Sequence, residues 1–278
     1  MTLKVAPIIF ALLITSGNVP SFPEPATSIE SHNTFLEKSA GGYPYGIDIS
    51  KWQFDLMQKL TDPGFSFIIC KATEGHTDVD PRFKENWKAI QDRKLVRGAY
   101  HFYLANGTPV EQADHYLDTL NNWRSFWQKD KPSPTLPPIV DIERRGVSPN
   151  VHIPTLQADL LLFLGYVEAK THRKPIIYTD LSFANKYLDN PNFAEYTLWV
   201  ARYTKDPSPQ LPKTWKGKGA KIWQKSNRYV LNSRWTDFNI FLGHIDELRN
   251  GLVEVKKPLP EPREVIGSSS DSAQPPTL

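Results

Sequence analysis

The stretch "LPPIVDIERRG", Leu136 to Gly146, decides the fold, because an apolar run leads into two carboxylates, Asp141 and Glu143. Its apolar residues are typical of a strand that is built for burial. Residues two apart on a strand point to the same side, so the two acids project together, with Cα atoms about 6.5–7 Å apart. The stretch therefore predicts a buried strand that ends in a pair of neighbouring acids.

Seven further runs share this apolar, β-rich character, and amphipathic segments such as "PRFKENWKAIQDRK" lie between the early ones. Strands that alternate with helices indicate a parallel sheet, and eight runs favour a closed barrel. The connections between Tyr203 and Phe238 are short or Pro-rich. We therefore predict an α/β fold, a modified TIM-like barrel of roughly five β/α units followed by three strands with few helices. The seven runs are "YGIDIS", "FSFIICKA", "VRGAYHFY", "KPIIYTD", "TLWVARY", "AKIWQKS" and "FNIFLG".

Polar side chains stand where most of these runs end. Active sites of parallel barrels are assembled at the C-terminal ends of the strands. We therefore expect these side chains to meet the acid pair at one mouth of the barrel, a convergence that packing alone does not explain. The residues are Asp48, Lys71, Glu74, Tyr100, His101, Tyr178, Tyr203, Gln224 and Asp237.

Two carboxylates at one mouth suit the cleavage of a glycosidic bond. That reaction needs one protonated acid for the leaving oxygen and one carboxylate that stabilises or attacks the developing oxocarbenium centre. Neighbouring carboxylates resist joint ionisation, so one pKa rises and the two roles separate. The alternative from spacing alone is a buried salt bridge from this pair to Arg144, Arg145 or Lys71.

Composition limits the other classes of function. The 278 residues carry 33 basic and 30 acidic side chains, a net charge of +3 that gives little reason to expect nucleic acid as a partner. The single Cys70 excludes an internal disulfide and lies in an apolar run, where a buried, inert thiol is expected. No second His or Cys stands at ligand spacing from His101. We therefore predict no metal and no other cofactor.

The two ends of the chain differ from its middle. Residues 1–17, "MTLKVAPIIFALLITSG", have the layout of a secretory signal, with an uncleaved anchor as the alternative. Residues 18–42 are rich in Pro, Ser and Gly and are predicted to form a linker, and residues 256–278 a disordered tail. The folded domain is then residues 43–255. The expected location is outside the cytoplasm, periplasmic or extracellular.

Eight motifs, in this order, resemble the motif series of the glycoside hydrolase family 25 lysozymes, the N-acetylmuramidases. They are "YGIDISKWQ", "FIICKATEG", "RGAYHFYL", "PPIVDIE", "PIIYTD", "LWVARY", "IWQKS" and "DFNIF", and they cover nearly all of Gly46 to Phe241. The resemblance implies the modified barrel and hydrolysis of the β-1,4 bond between N-acetylmuramic acid and N-acetylglucosamine. It also implies peptidoglycan strands as the partner of a monomer with no stable membrane partner.

The resemblance also implies roles for single residues. Glu143 matches the proton donor, and Asp141 matches its partner, either the nucleophile or the group that orients the substrate's N-acetyl. Asp48 and Asp237 match two further acids of the pocket, which position sugar and tune pKa values. Six positions match the strand ends that border the substrate groove: Tyr100, His101, Tyr178, Trp199, Tyr203 and Gln224.

Two arginines follow the acid in "DIERRG", where they could pair with Glu143 and lower its pKa or bind carboxylates of the substrate.

A non-catalytic glycan-binding protein on the same barrel is the first competing hypothesis. The second is a hydrolase of another N-acetylglucosamine polymer, although the D-x-x-D-x-D-x-E run of chitinase-type barrels is absent before Asp141.

Overall fold

The computed structural model describes residues 26–60, 64–122 and 135–252. These ranges contain nine strands and seven α-helices in a mostly alternating order. The strands are β1 (Tyr45–Ile49), β2 (Phe67–Glu74), β3 (Asp78–Val79), β4 (Val96–Phe102), β5 (Ile139–Asp141), β6 (Ile176–Asp180), β7 (Thr197–Ala201), β8 (Ile222–Leu231) and β9 (Arg234–Phe241). The helices are α1 (Ala26–Ser39), α2 (Leu56–Lys59), α3 (Phe83–Asp92), α4 (Pro109–Asn122), α5 (Ile153–Thr171), α6 (Leu181–Tyr187) and α7 (Ile245–Arg249).

Eight strands close into a barrel in the order β1, β2, β4, β5, β6, β7, β8, β9. The neighbours from β1 to β8 pair in parallel, whereas β9 runs antiparallel to both β8 and β1. The short β3 pairs only with β2, outside the barrel. Helices α2 to α6 follow the first five barrel strands, and β7, β8 and β9 are joined without an α-helix. The predicted modified barrel is confirmed.

Apolar side chains fill the barrel in two separate layers. An interior cluster stands on the inward faces of the strands, and a larger cluster lies between the strands and the helices. Alternation along each strand produces this division, because successive side chains point to opposite faces. Burial of these side chains on both faces supplies most of the stabilising free energy, at roughly 25 cal/mol per Å² of apolar surface. Interior members include Phe67, Ile139, Ile176, Trp199 and Phe241.

Gly46 allows the barrel to close. A Cβ atom at this position would lie 2.1 Å from the carbonyl oxygen of Phe67 on the neighbouring strand. Real Cβ atoms do not approach an oxygen so closely, so any larger residue would force β1 away from β2. The sequence "YGIDI" therefore carries the glycine at the pairing that joins the first strand to the second.

The helix α1 lies within the segment that we predicted to be a linker. Leu36 and Ala40 at its end are buried, and the amide of Asn33 donates to the carbonyl of Val230 (2.7 Å) and accepts from its N–H (3.0 Å). The hydroxyl of Tyr229 donates to Glu37. The side-chain amide of Asn33 thus pairs with the backbone of β8. These tertiary contacts, which local composition does not reveal, stabilise the helix.

Several predicted features lie outside the described residues: the signal at 1–17, the first part of the linker at 18–25, and the whole tail at 256–278. Among the helices that are described, none combines the length and apolar character needed to cross a membrane. The last element in the described residues is α7 (Ile245–Arg249).

Candidate active site

A cavity of about 340 Å³ opens at the C-terminal mouth of the barrel. Nine of the ten predicted site residues line it, and His101 does not. Seven other residues that line it come from the end of β1 and the segment after it, from β2, from the turn after β5 and from β8: Ile49, Ser50, Trp52, Gln53, Lys71, Arg145 and Asn227. The predicted residues in its wall are Asp48, Tyr100, Asp141, Glu143, Tyr178, Trp199, Tyr203, Gln224 and Asp237.

The end of β5 carries the acid pair. Asp141 is buried and Glu143 is half-buried at the rim, while Ile142 between them points outward into the helix-facing core. A tight turn over Arg144–Gly146 follows, in which the N–H of Gly146 donates to the carbonyl of Glu143 at 3.0 Å. A Cβ on Gly146 would lie 2.2 Å from the carbonyl oxygen of Tyr103. The turn is therefore held against the end of β4, which fixes Glu143 at the mouth.

Asp48 is the best-connected carboxylate of the cavity. Its Oδ2 atom accepts hydrogen bonds from Asn239 Nδ2 (2.7 Å) and Gln224 Nε2 (2.9 Å). The oxygen of Gln224 accepts in turn from the hydroxyls of Tyr178 (3.0 Å) and Tyr203 (2.7 Å). Each amide thus donates to the carboxylate with one end and accepts from an aromatic side chain with the other. The network holds the wall of the cavity in one arrangement.

Trp199 completes the network from the floor. Its indole Nε1 donates to Asn239 Oδ1 at 2.8 Å, and its ring meets the Tyr178 ring edge-on at 4.6 Å. Trp199 is buried, whereas Trp52 at the rim is 69% exposed. The two tryptophans therefore have different surroundings: Trp199 supports the floor, whereas Trp52 exposes its ring at the rim, with the Lys51 ammonium 5.2 Å from the ring centre.

Asp237 stands opposite Asp48 across the β1 and β9 pair. Enclosure by the cavity wall and the charge and hydrogen bond of Asp48 raise the pKa of Asp237 far above its ordinary value. Burial also raises the pKa of Asp48, but the hydrogen bonds from Asn239 and Gln224 oppose this rise. Asp237 therefore holds the proton that the two carboxyl groups share, and Asp48 is the more readily ionised of the two.

The pKa values of the acid pair are raised as well. Burial is the main cause for Asp141, followed by the charges of Glu143 and Asp48. Burial also raises the pKa of Glu143, while Arg145 works in the opposite direction. Within the described residues, nothing donates a hydrogen bond to the buried Asp141 Oδ1. Two neighbouring carboxyl groups that both resist ionisation favour a state in which one of them is protonated.

The structure gives little support to the alternative that the acid pair forms a buried salt bridge. Arg145 Nε lies 3.8 Å from Glu143 Oε1, and both side chains are partly exposed. Among the described residues Asp141 has no salt-bridge partner. Lys71 pairs with Glu74 instead. The acid pair is therefore not tied to a buried cation, and both residues line the cavity.

His101 departs from the prediction that it borders the groove. Its Nδ1 lies 2.8 Å from Thr73 Oγ1, its Nε2 lies 3.3 Å from Gln112 Oε1, and its ring stacks on Phe163. Burial lowers its pKa to about 3, so the ring is neutral. The reason is strand alternation: Tyr100 faces the cavity, so the next residue must face the helices.

A β-bulge explains the similar placement of Thr73. The pairing of β2 with β4 shifts between Lys71 and Thr73, so that Lys71 pairs with Tyr100 and Thr73 with His101. The inserted residue reverses the alternation, and Lys71 faces the cavity while Thr73 faces outward. Without the bulge, Lys71 and Thr73, which are two positions apart, would point to the same face of the strand.

Asn239 and Trp52 are the functional candidates that sequence reasoning did not single out. Asn239 stands two residues after Asp237 on β9, so alternation along that strand would have placed both on one face. Trp52 belongs to the turn after β1, where no strand pattern applies. Within the described residues, no group of three His, Cys, Asp or Glu side chains could hold a metal ion.

A closed, mostly parallel barrel with several carboxylates at its C-terminal mouth is an arrangement that fits the glycosidases. The family described as "Glycosyl hydrolases family 25" matches residues 47–233, and the chain belongs to this family. It is a glycoside hydrolase.

Relatives and solved structures agree with this assignment. The chain is 33% identical over 221 residues to "Uncharacterized protein YegX" of Escherichia coli O6:H1, covering 77% of this chain and 75% of that protein. It is 30% identical over 191 residues to "Lysozyme M1" of Streptomyces globisporus, covering 65% of this chain and 61% of that protein. The bacterial lysozyme of Streptomyces coelicolor superposes with a TM-score of 0.64 at 27% identity, over 76% of this chain and 99% of that one.

Proposed function

We propose that this protein is a muramidase, which hydrolyses the β-1,4 bond between N-acetylmuramic acid and N-acetylglucosamine in peptidoglycan. One observation carries the proposal: Asp141 and Glu143 lie on the same face at the end of β5 and border one cavity, with no buried cation bound to either within the described residues. Similarity to proteins named lysozyme and N,O-diacetylmuramidase supports the choice of substrate. Export, predicted from residues 1–17, would bring the enzyme to its substrate.

Glu143 is the proposed general acid. It stands at the rim, where a bound glycan strand reaches it, and burial raises its pKa, which favours the protonated form that a general acid needs. It transfers this proton to the glycosidic oxygen while the bond from that oxygen to the anomeric carbon breaks. The leaving sugar departs with a hydroxyl group. Water later adds to the anomeric carbon and returns a proton to Glu143.

Asp141 is the proposed partner, as the nucleophile or as the carboxylate that orients the substrate's N-acetyl group. Burial raises the pKa of Asp141, so its carboxyl group first releases a proton to solvent and then acts in its ionised form. The ionised carboxylate stabilises the positive charge that develops on the sugar, or on its N-acetyl group. The ionised Asp48, fixed by Asn239 and Gln224, adds negative potential to the same cavity.

The experiment that tests this function is mass spectrometry of the fragments released from purified peptidoglycan. New reducing ends of muramic acid are the expected result. Reducing ends of glucosamine would assign the other bond and refute the proposal. The competing functions have their own outcomes: a binding protein would sediment with peptidoglycan and release no fragments, and a hydrolase of another N-acetylglucosamine polymer would cleave chitooligosaccharides faster.

A further inference from the structure

Arg145 lies in the wall of the cavity beside the proposed general acid. Its side chain is 64% exposed, and its guanidinium carbon stands 4.5 Å from the centre of the Phe102 ring. The nearest carboxylate is that of Glu143, at 3.8 Å from Nε, which is too long for a hydrogen bond. Stacking on an aromatic ring holds a guanidinium by its face and leaves the N–H groups at its edge available.

Only two of the described residues that line the cavity are cationic, Lys71 and Arg145. Lys71 is engaged by the carboxylate of Glu74 and is nearly buried. Arg145 makes no hydrogen bond to any described residue. Four acids, Asp48, Asp141, Glu143 and Asp237, border the same cavity. An anionic substituent on the substrate would be repelled there unless a cation received it.

We propose that Arg145 is a specificity-determining residue that binds a carboxylate carried by the acidic substituent of the substrate sugar. This inference rests on the proposed function, since muramic acid bears a lactyl group whose carboxylate is either free or extended by a peptide. The guanidinium edge matches a carboxylate with two parallel hydrogen bonds. Glu143 Oε1 lies 3.8 Å from Arg145 Nε, beyond hydrogen-bond distance. The guanidinium can therefore bind a substrate carboxylate without first breaking a close ion pair.

Arg144 provides a matched control in the adjacent position. Its side chain is exposed like that of Arg145, but its guanidinium stands 5.8 Å from the centre of the Tyr187 ring and it does not line the cavity. Loss of one positive charge at either position changes the net charge equally. Any difference between the Arg144→Gln and Arg145→Gln variants therefore reports position, not overall charge.

The test compares kcat and KM of four proteins on three glycans. The proteins are the wild type, Arg145→Gln, Arg145→Lys and Arg144→Gln, each checked for an unchanged melting temperature. The first glycan is peptidoglycan stripped of peptides, with free lactyl carboxylates. The second is the same glycan with these carboxylates converted to methyl amides. The third retains its stem peptides, so that its carboxylates belong to the peptide.

Arg145→Gln should lower kcat/KM by about ten- to a hundredfold on a glycan with carboxylates, mainly through KM, because a charge-assisted pair is lost. Arg145→Lys should recover part of this loss, and Arg144→Gln should stay within about twofold of the wild type. On the methyl amide glycan, Arg145→Gln and the wild type should be equal. Loss on the first glycan alone identifies the lactyl carboxylate, and loss on the third identifies the peptide as a source.

Two results would overturn the inference while leaving the muramidase function intact. One is an equal loss on all three glycans, which would mean that Arg145 acts through the acidity of Glu143. The other is no loss on any of them. If the wild type released no muramic acid ends from either peptide-free or peptide-bearing glycan, the proposed function would fail, and this inference would fail with it.

Discussion

Asp48 and Asp237 stand directly opposite each other on β1 and β9, and both line the cavity. Two acids that face each other in this way cannot both ionise without strong repulsion. The proton therefore stays on Asp237, whose pKa is raised, and Asp48 keeps its negative charge with two amide donors.

This arrangement predicts a pH-dependent effect of Asp237→Asn. A carboxyl whose folded pKa lies above its unfolded value of about 3.9 stabilises the fold at low pH, and that contribution is lost as pH rises through the folded value. Asparagine cannot ionise and can still donate to Asp48. The variant should therefore gain stability relative to the wild type as pH rises from about 4, near the unfolded pKa, to about 9, the pKa of Asp237 in the folded protein. Urea unfolding across this range measures the difference, and a pH-independent difference would contradict the shared proton.

The contact of helix α1 with β8 predicts that Asn33→Ala lowers the stability of the fold. This change removes both hydrogen bonds to the backbone of Val230, on the hairpin of β8 and β9. We expect a loss of about 1–3 kcal/mol in the free energy of unfolding, because two partly buried backbone groups lose their partners. Thr34→Ala, an exposed position on the same helix, should stay within about 0.5 kcal/mol. Equal melting temperatures for both variants would mean that α1 does not belong to the folded unit.

Alanine substitution should have opposite effects on stability at two glycines, one where the barrel closes and one in a helix. Gly46→Ala would place a methyl group 2.1 Å from the carbonyl oxygen of Phe67, and separation of β1 from β2 should cost about 1–3 kcal/mol or more. Gly165→Ala, in α5, meets no atom within 4 Å and should stabilise the helix by roughly 0.5–1 kcal/mol. Chemical unfolding of both variants checks this. Tolerance of alanine at position 46 would contradict the close approach of the two strands.

Much of the barrel follows from local sequence alone. Each of the eight predicted runs contains a barrel strand, because a strand buried on both faces leaves a continuous apolar signature. The position of the acid pair follows from alternation, which places Asp141 and Glu143 on one face. The helix-poor last third could be predicted from its short, Pro-rich connections.

The remaining features depend on contacts between distant parts of the chain. The bulge that turns Thr73 outward has no signature in "FIICKATEG". The helix α1 gains its partners from β8, almost 200 residues away in sequence. His101 is a different case: the alternation that places Tyr100 in the cavity excludes its neighbour, so the sequence contained the information needed to place it correctly.

The most direct test of the proposed mechanism is the turnover of Glu143→Gln on soluble peptidoglycan fragments, measured together with its melting temperature. Glutamine keeps the shape of the side chain but has no proton to transfer, so kcat should fall by at least about a hundredfold while folding and glycan binding persist. Glu111→Gln, at an exposed position outside the cavity, should retain wild-type turnover. A folded Glu143→Gln protein that cleaves peptidoglycan at a rate near that of the wild type would contradict the assignment of Glu143 as the general acid.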